Sequence, residues 1–387
     1  MMIFFALLVF LVMGLVGVLT KAAIPYVFDE PLSLMLERAV LIFDVAAMLG
    51  LIIIPLFFRD SFPSSWSAAG LRLVAMAFMA QLIFAAVVLV VAGIRGIMRH
   101  IGDTVPFDRR LRHTLSYAPL YPLAALAGGA YGGLYESDAT EEREFGIPVK
   151  NLPENLRGYR IAQISDVHIG LFFSLDKLQK LLSRVAKGKP DALVITGDIF
   201  DDVSQNPQAI KTVDSFAKDF PNGIWYCHGN HEHHRGIEAI SELLQGTAIH
   251  VLVNRAEIVV PGERPLVFAG VDYPMERGDK EFLAQKNAFT AEAWREIPQE
   301  AVVVLLAHHP EFIDNGAEKK AVLTLTGHTH GCQLGIFGIP LIPMFKYNRG
   351  MFIQGDSHGY VHSGNGSWFP YRLGCPPEIA YFTLRRG

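Results

Sequence analysis

The apolar residues follow two patterns along this chain. Before about residue 136 they come in runs long enough to cross a bilayer. After about residue 145 they come in fours and fives, each closed by a polar or glycine-containing cluster. A spanning helix needs about 20 predominantly apolar residues. Positions 1–20 form such a run without a charge, and 39–58 form a second, broken only by Asp44. Positions 73–94 form a third, with Gln81 as its most polar member, and 115–135 a fourth, rich in Ala, Gly and Pro. The pattern predicts a helical membrane bundle of about four spans over 1–136. A cleaved signal peptide would also explain the first run, but that run lacks a basic leading segment and three more follow it.

Basic residues in the short connections orient such a bundle. The third connection, 95–113, holds Arg95, Arg99, Arg109, Arg110 and Arg112, whereas ESDATEERE after the fourth run is mainly acidic. Placing the arginines in the cytoplasm makes this a multi-pass inner-membrane protein with everything after Glu136 on the outer side. Asp44 is an intramembrane carboxylate. A place near a helix end, or a polar partner in the bundle, explains it more simply than a proton relay, because the spans hold little else of that kind.

From 145 the texture is α/β. Strands are predicted at 160–164, 192–196, 224–227, 301–307 and 321–326, with helices at 175–186 and around 207–218. Strand alternating with helix implies a parallel sheet. Each of the five strands ends in a cluster of Asp, Asn or His: SDVHIG, GDIFDD, HGNHEHH, HHP and GHTHG. One such cluster is an ordinary turn or helix cap. Five at the carboxyl ends of strands, where a rigid scaffold holds accessible loops, point to a site. The candidates are Asp166, His168, Asp198, Asp201, Asn230, His231, His308, His328 and His330.

Composition narrows the chemistry. Half of the 387 residues are hydrophobic (51%), and the excess sits in the first third. A net charge of −4 leaves no broad basic surface for nucleic acid. Three cysteines are too few, and odd in number, for a disulfide framework. Carboxylate and imidazole donors without thiolate suit Mn, Fe, Zn or Co rather than a structural zinc. The donors are too many for one ion, and two divalent ions sharing a carboxylate would use them.

SDVH, GDIFD, GNHE, HHP and GHTH, in that order, resemble the signature of the calcineurin-like metallophosphoesterases. The resemblance covers 145–387. The tail, GHTHGCQ with HSGNGSWFPYRLGCPPEIAYFTL, is similar to a bacterial membrane-associated branch of that family. It implies a two-sheet α/β sandwich flanked by helices. It further implies that Asp166, His168, Asp198 and His330 hold one metal, that Asp198 bridges, and that Asn230, His308 and His328 hold the other. His231 is then a general acid oriented by Asp201. The implied enzyme is a metal-dependent phosphoric ester hydrolase of the phosphodiesterase or pyrophosphohydrolase type. It would use a metal-activated hydroxide on a lipid-linked or membrane-proximal phosphoester. Cys332 stands where the family usually has glycine.

His233 is a candidate phosphate contact or a polar helix start. Arg372 could fork onto phosphate oxygens or serve as a surface ion pair. Asn365 lies in a glycine-containing loop that could approach the site. Trp368 and Phe369 are a candidate apolar lip or core aromatics. His309 could support His308 from behind, and Cys227 reads as a buried thiol. The competing functions are a non-catalytic phosphoesterase-like scaffold and a sensor or transporter built on the bundle. The complete donor set speaks against the first, the sparse polar content of the spans against transport.

Overall fold

The computed structural model describes residues 2–57, 64–101, 120–276, 278–367 and 369–387. The chain divides into two compact units. One is Met1–Tyr135 with Phe369–Tyr371, and the other is Glu136–Trp368 with Arg372–Gly387.

The first unit is helical: α1 (Met2–Ala23), α2 (Leu32–Phe57), α3 (Ser64–Ile101) and α4 (Tyr121–Ala130), the last running into a π turn at Tyr131–Tyr135. Ile24, Val27, Phe28, Val40, Phe84 and Val88 pack inside it. Leu15, Val18, Leu41, Ile42 and Val90 are exposed, while Thr20, Asp44 and Gln81 are buried. The Gln81 amide donates to the Asp44 carboxylate, so this carboxylate has a polar partner within the bundle.

Within α3, Ala68–Ile97 is 30 residues long and contains an 18-residue window with a mean hydropathy of 2.7, apolar and long enough to cross a membrane. Among the described residues it is the one helix that meets both requirements. Arg95, expected in the third connection, lies inside α3 instead and donates to the Tyr26 and Val27 carbonyls. Arg109, Arg110, Arg112 and the start of the fourth run lie outside the described residues.

The second unit has fourteen strands among the described residues. They are β1 (Glu141–Val149), β2 (Arg160–Ile164), β3 (Ala192–Thr196), β4 (Ile224–Cys227), β5 (Ile249–Val251), β6 (Arg255–Val260), β7 (Leu266–Gly270), β8 (Val302–Leu306), β9 (Leu323–Thr326), β10 (Gly335–Ile336), β11 (Ile339–Pro340), β12 (Gly350–Gln354), β13 (Ser357–Val361) and β14 (Glu378–Arg386). One six-stranded sheet has the order β1-β14-β2-β3-β4-β5, the other β12-β13-β9-β8-β7-β6, and β10–β11 is a separate hairpin. β1 begins ahead of the boundary expected at 145 and pairs in parallel with the C-terminal β14.

Side-chain alternation builds the layers, because successive strand residues face opposite ways. Ala192 and Val194 join Val302, Val304, Leu306 and Leu325 in the core between the sheets. Leu193 and Ile195 pack outward with Leu178, Leu182 and Val185 of α5 (Leu175–Lys187) and Val213 of α6 (Asn206–Ser215). Two short helices, α7 (Asn230–Arg235) and α8 (Ile237–Leu244), follow β4. Val303 and Leu305 face the other way, with Ala293 of α9 (Asp279–Ala293) and Phe312 of α10 (Phe312–Glu318). The result is helix, sheet, sheet, helix. Both faces of each central strand are buried, so these strands read as unbroken apolar runs.

Candidate metal centre

The carboxyl ends of β2, β3 and β4 in one sheet and of β8 and β9 in the other carry the expected residues. The loops after β2 and β3 continue side by side: the amides of Asp166 and His168 donate to the carbonyls of Gly197 and Asp198. Asp166, His168, Asp198, His328 and His330 all sit at positive φ, from 50° to 71°. Left-handed backbone at non-glycine residues costs on the order of 1 kcal/mol each and persists only where the surroundings impose it. Glycines keep the loops close. A Cβ on Gly229 would collide with the Asp198 carboxylate, and one on Gly327 with Ser165 and Asp166.

The site-facing atoms include two adjacent groups. Asp166, His168 and His330 make one, and Asp198, His308 and His328 the other. In the first, His168 Nε2 lies 3.0 Å from His330 Nε2, which lies 3.5 Å from Asp166 Oδ1. In the second, His308 Nε2 lies 3.1 Å from Asp198 Oδ2 and 3.2 Å from His328 Nδ1. The same Asp198 Oδ2 is 3.8 Å from His168 Nε2, so this carboxylate stands between the groups. His308 Nδ1 is 2.7 Å from the Thr196 carbonyl, which can only accept. That bond places the proton on Nδ1 and turns Nε2 to the site.

These residues fit divalent metal. Buried imidazole nitrogens that face one another across the site converge correctly as lone pairs on a cation. The buried Oδ1 of Asn230 has no hydrogen-bond partner among the described residues, and Asn230 lines a cavity of ≈ 250 Å³ with Asp198, His231, His328 and His330. At Asp198, His328 and His330 the electrostatics agree, whereas burial raises the Asp166 carboxyl, and at His308 burial is outweighed by the Asp198 and Asp166 charges, which push the imidazole up to about 10. Burial opposes ionisation of Asp198, but His308, His168 and His231 outweigh it and hold the carboxylate well below its usual range. Burial, helped by neighbouring cationic groups, keeps His328 and His330 well below the ordinary imidazole range. Neutral imidazole is the form that ligates.

His231 lies at the start of α7, and its Nδ1 is 2.9 Å from Asp201 Oδ1. Asp201 also meets His168 Nδ1 at 3.3 Å and Arg235 Nε at 2.6 Å. Burial works against a charged His231, but the Asp201 hydrogen bond and the Asp198 charge outweigh it and raise its pKa. With Nδ1 committed to Asp201, Nε2 is the nitrogen left for the cavity.

The three expected substrate contacts are placed otherwise. Arg372 is fully buried; its guanidinium donates to the His330, Cys375 and Gly366 carbonyls and so braces the His330 loop. It cannot fork onto a phosphate. Asn365 is buried as well, accepting from the Ser165 amide and donating to the Glu378 carbonyl, which ties its loop to the end of β2. His233 commits Nε2 to Asp272 at 2.8 Å and is not among the residues lining the cavity. Trp368 lies outside the described residues.

Sequence reasoning overlooked three groups. Glu232 is fully buried and accepts from the amides of Asp198, Ile199, Phe200 and Gly229, so one carboxylate holds the loops after β3 and β4 together. The last letter of GNHE was its signal. Asp272 joins His228 at 3.2 Å and His233 in a second cluster beside the first. Tyr273 packs its ring near those of His308, His309 and His328. His309 does lie behind the ligands, in ring contact with His328 and Phe345. Cys332 adopts φ +59, a conformation glycine takes freely, and its thiol reaches Asn348 rather than the donor groups. Cys227 is buried.

Comparison with known proteins gives one consistent answer. The family model for calcineurin-like phosphoesterases matches residues 159–332. The metallophosphoesterase YkuE of Bacillus subtilis is 30% identical over 275 residues, which is 68% of this chain and 92% of that protein. The phosphodiesterase YaeI of Escherichia coli is 30% identical over 240 residues, 60% of this chain and 84% of its own length. A transmembrane protein with a metallophosphoesterase domain from Danio rerio is 30% identical over 257 residues, 62% of this chain and 56% of that longer protein.

Proposed function

Because the chain belongs to the calcineurin-like metallophosphoesterases, we propose that it is a membrane-anchored, two-metal enzyme. It cleaves a phosphodiester or pyrophosphate bond in a lipid-linked or membrane-proximal substrate. The observation that carries the metal chemistry is Asp198 Oδ2 standing between two imidazole-rich donor groups. Asp166, His168, Asp198 and His330 would hold one ion, and Asp198, Asn230, His308 and His328 the other. Two divalent ions supply positive charge for the phosphate oxygens and a water activated for attack.

The chain's own residues do the rest. His231, held by Asp201, donates the proton from Nε2 to the departing oxygen. Arg235 secures Asp201, and Glu232 keeps the loops of Asp198 and Asn230 in register. Strained backbone at five site residues gives the preorganisation that charge stabilisation requires. The apolar stretch Ala68–Ile97 supports anchoring. The further apolar runs and Arg109, Arg110 and Arg112 support a multi-pass inner-membrane arrangement with the catalytic unit outside.

The test is hydrolysis of bis-p-nitrophenyl phosphate by the full chain in detergent, after chelation and re-addition of Mn²⁺, Zn²⁺, Co²⁺ or Fe²⁺. Activity should return with metal, and Asp198→Asn should lower it on the order of a thousandfold. Activity that survives chelation, or an Asp198→Asn variant as active as the parent, refutes the two-metal reading. Protease treatment of spheroplasts tests the side of the membrane, and a protected catalytic unit reverses the orientation.

A further inference from the structure

Directly after the His330 loop, residues 334–345 read LGIFGIPLIPMF, without one charged, hydroxyl or amide side chain. This is not a core strand. Ile336, Phe337, Ile339, Leu341, Ile342 and Met344 are all exposed, Phe337 at 99% and Met344 at 70%. Scattered exposed apolar residues need no explanation, but a contiguous group of large ones does.

The segment is also well built. Gly335 pairs with Pro340 and Ile336 with Ile339 in the β10–β11 hairpin. The amides of Gly335, Gly338 and Leu341 donate to the carbonyls of Leu373, Gly374 and Leu334. Arg349 donates to the Gly338 carbonyl and to Ser363, fixing the hairpin to its base. The run returns to the metal centre through Phe345, whose ring lies 5.2 Å from that of His328. A braced finger therefore leaves the metal loop and comes back to it, presenting apolar side chains throughout.

We propose that this finger inserts into the interfacial layer of a phospholipid bilayer, with Phe337, Ile339, Ile342 and Met344 among the acyl chains. The metal centre is thereby held against the membrane surface. The inference rests on the reading that the chain is membrane-anchored. Its side chains offer a partner no hydrogen bond, which suits hydrocarbon better than a protein groove with a polar rim. Hydrocarbon instead favours backbone polar groups that are satisfied internally, and the hairpin pairing and the bonds of the Gly335, Gly338 and Leu341 amides supply such partners. The apolar helix Ala68–Ile97 supplies the tether. Tethering turns a weak insertion into an intramolecular one, so a short finger is enough.

The test uses the full chain carrying Phe337→Trp, reconstituted in phosphatidylcholine–phosphatidylglycerol vesicles with plain or brominated acyl chains, with the parent chain as background. The added emission should be blue-shifted, and brominated lipid should quench it by at least half. In the same vesicles, Phe337→Asp with Ile342→Asp should lower hydrolysis of an embedded hexadecyl p-nitrophenyl phosphate about tenfold. Hydrolysis of soluble bis-p-nitrophenyl phosphate should stay unchanged. Carbonate extraction separates the two readings. Unquenched emission from a chain that resists extraction overturns the finger and leaves the anchor. Quenching in a chain that carbonate releases supports the finger and overturns the anchor. Blue-shifted emission that brominated lipid does not quench, and that depends on protein concentration, assigns the finger to a second copy and overturns the proposal.

Discussion

In the helical unit Leu15, Val18, Leu41 and Ile42 face outward while Asp44, Gln81 and Thr20 are buried; in the α/β unit Leu193, Val194, Val304 and Leu325 are buried and Lys150, Arg157 and Lys180 are exposed. Both units bury carboxylates, and the two outcomes differ. Among the described residues Asp44 meets the Gln81 amide, a partner on a neighbouring helix for a polar group among apolar neighbours. Asp166 and Asp198 meet imidazoles on several strands, on backbone held at positive φ. A buried carboxylate alone is therefore not a site. Carboxylate and imidazole donors converging from several strands, held in costly backbone, are what mark one.

The sharpest way to break that contrast is through the catalytic group beside the donors. His231→Ala should lose 10²- to 10⁴-fold on a phosphodiester with an alkyl leaving group, which needs a proton as it departs. It should lose much less on bis-p-nitrophenyl phosphate, whose leaving group is stable as an anion. Equal losses on both substrates would remove the general-acid role.

A smaller effect concerns Glu378, a buried carboxylate of the α/β unit that belongs to no donor group. It accepts from the Tyr360 hydroxyl and the Ser363 amide and pairs with Arg143 at 3.0 Å. Burial opposes its charge, but His362, Arg143 and Arg349 outweigh burial and depress its pKa. A depressed carboxylate stabilises the fold above its unfolded pKa and loses that contribution as pH falls through the folded one. Glu378→Gln should therefore cost about 2 kcal/mol at neutral pH. Thermal melts of the two proteins should converge as the medium is acidified below the ordinary glutamate range. A gap that widens in acid would contradict the assignment.

The smallest effect is expected in the helical unit. Gln81→Leu removes the side-chain partner that Asp44 has among the described residues and should cost about 1 kcal/mol or less, as hydrogen bonds between membrane helices do. Hydrolysis of bis-p-nitrophenyl phosphate should not change. If activity fell with stability intact, Asp44 would have a role beyond packing.

The ligand loops were legible because each follows an apolar strand, and a run of four or five apolar residues is written locally. Asp166, His168, Asp198, Asn230, His308, His328 and His330 could be picked out one strand end at a time. The substrate contacts could not. Arg372 and Asn365 have the chemistry to meet a phosphate, and only packing shows both Arg372 Nη atoms and the Asn365 amide engaged by the carbonyls and amides of neighbouring loops. Glu232 was missed for the converse reason: its partners are backbone amides, which carry no letter. Arg95 was misplaced because helix α3 runs past the apolar stretch that defined it.

The sequence alone determined which residues could ligate metal, where the apolar runs lie, and that five strand ends carry like chemistry. Those properties are local, set by residue type and by a spacing of a few positions. Tertiary structure decided that the strand ends of two different sheets meet around Asp198, that Glu232 and Arg372 lock the loops, and that the run LGIFGIPLIPMF stands outside the core. Each of those depends on residues far apart in the chain competing for the same hydrogen bonds and the same buried volume, and no short window of sequence contains that competition.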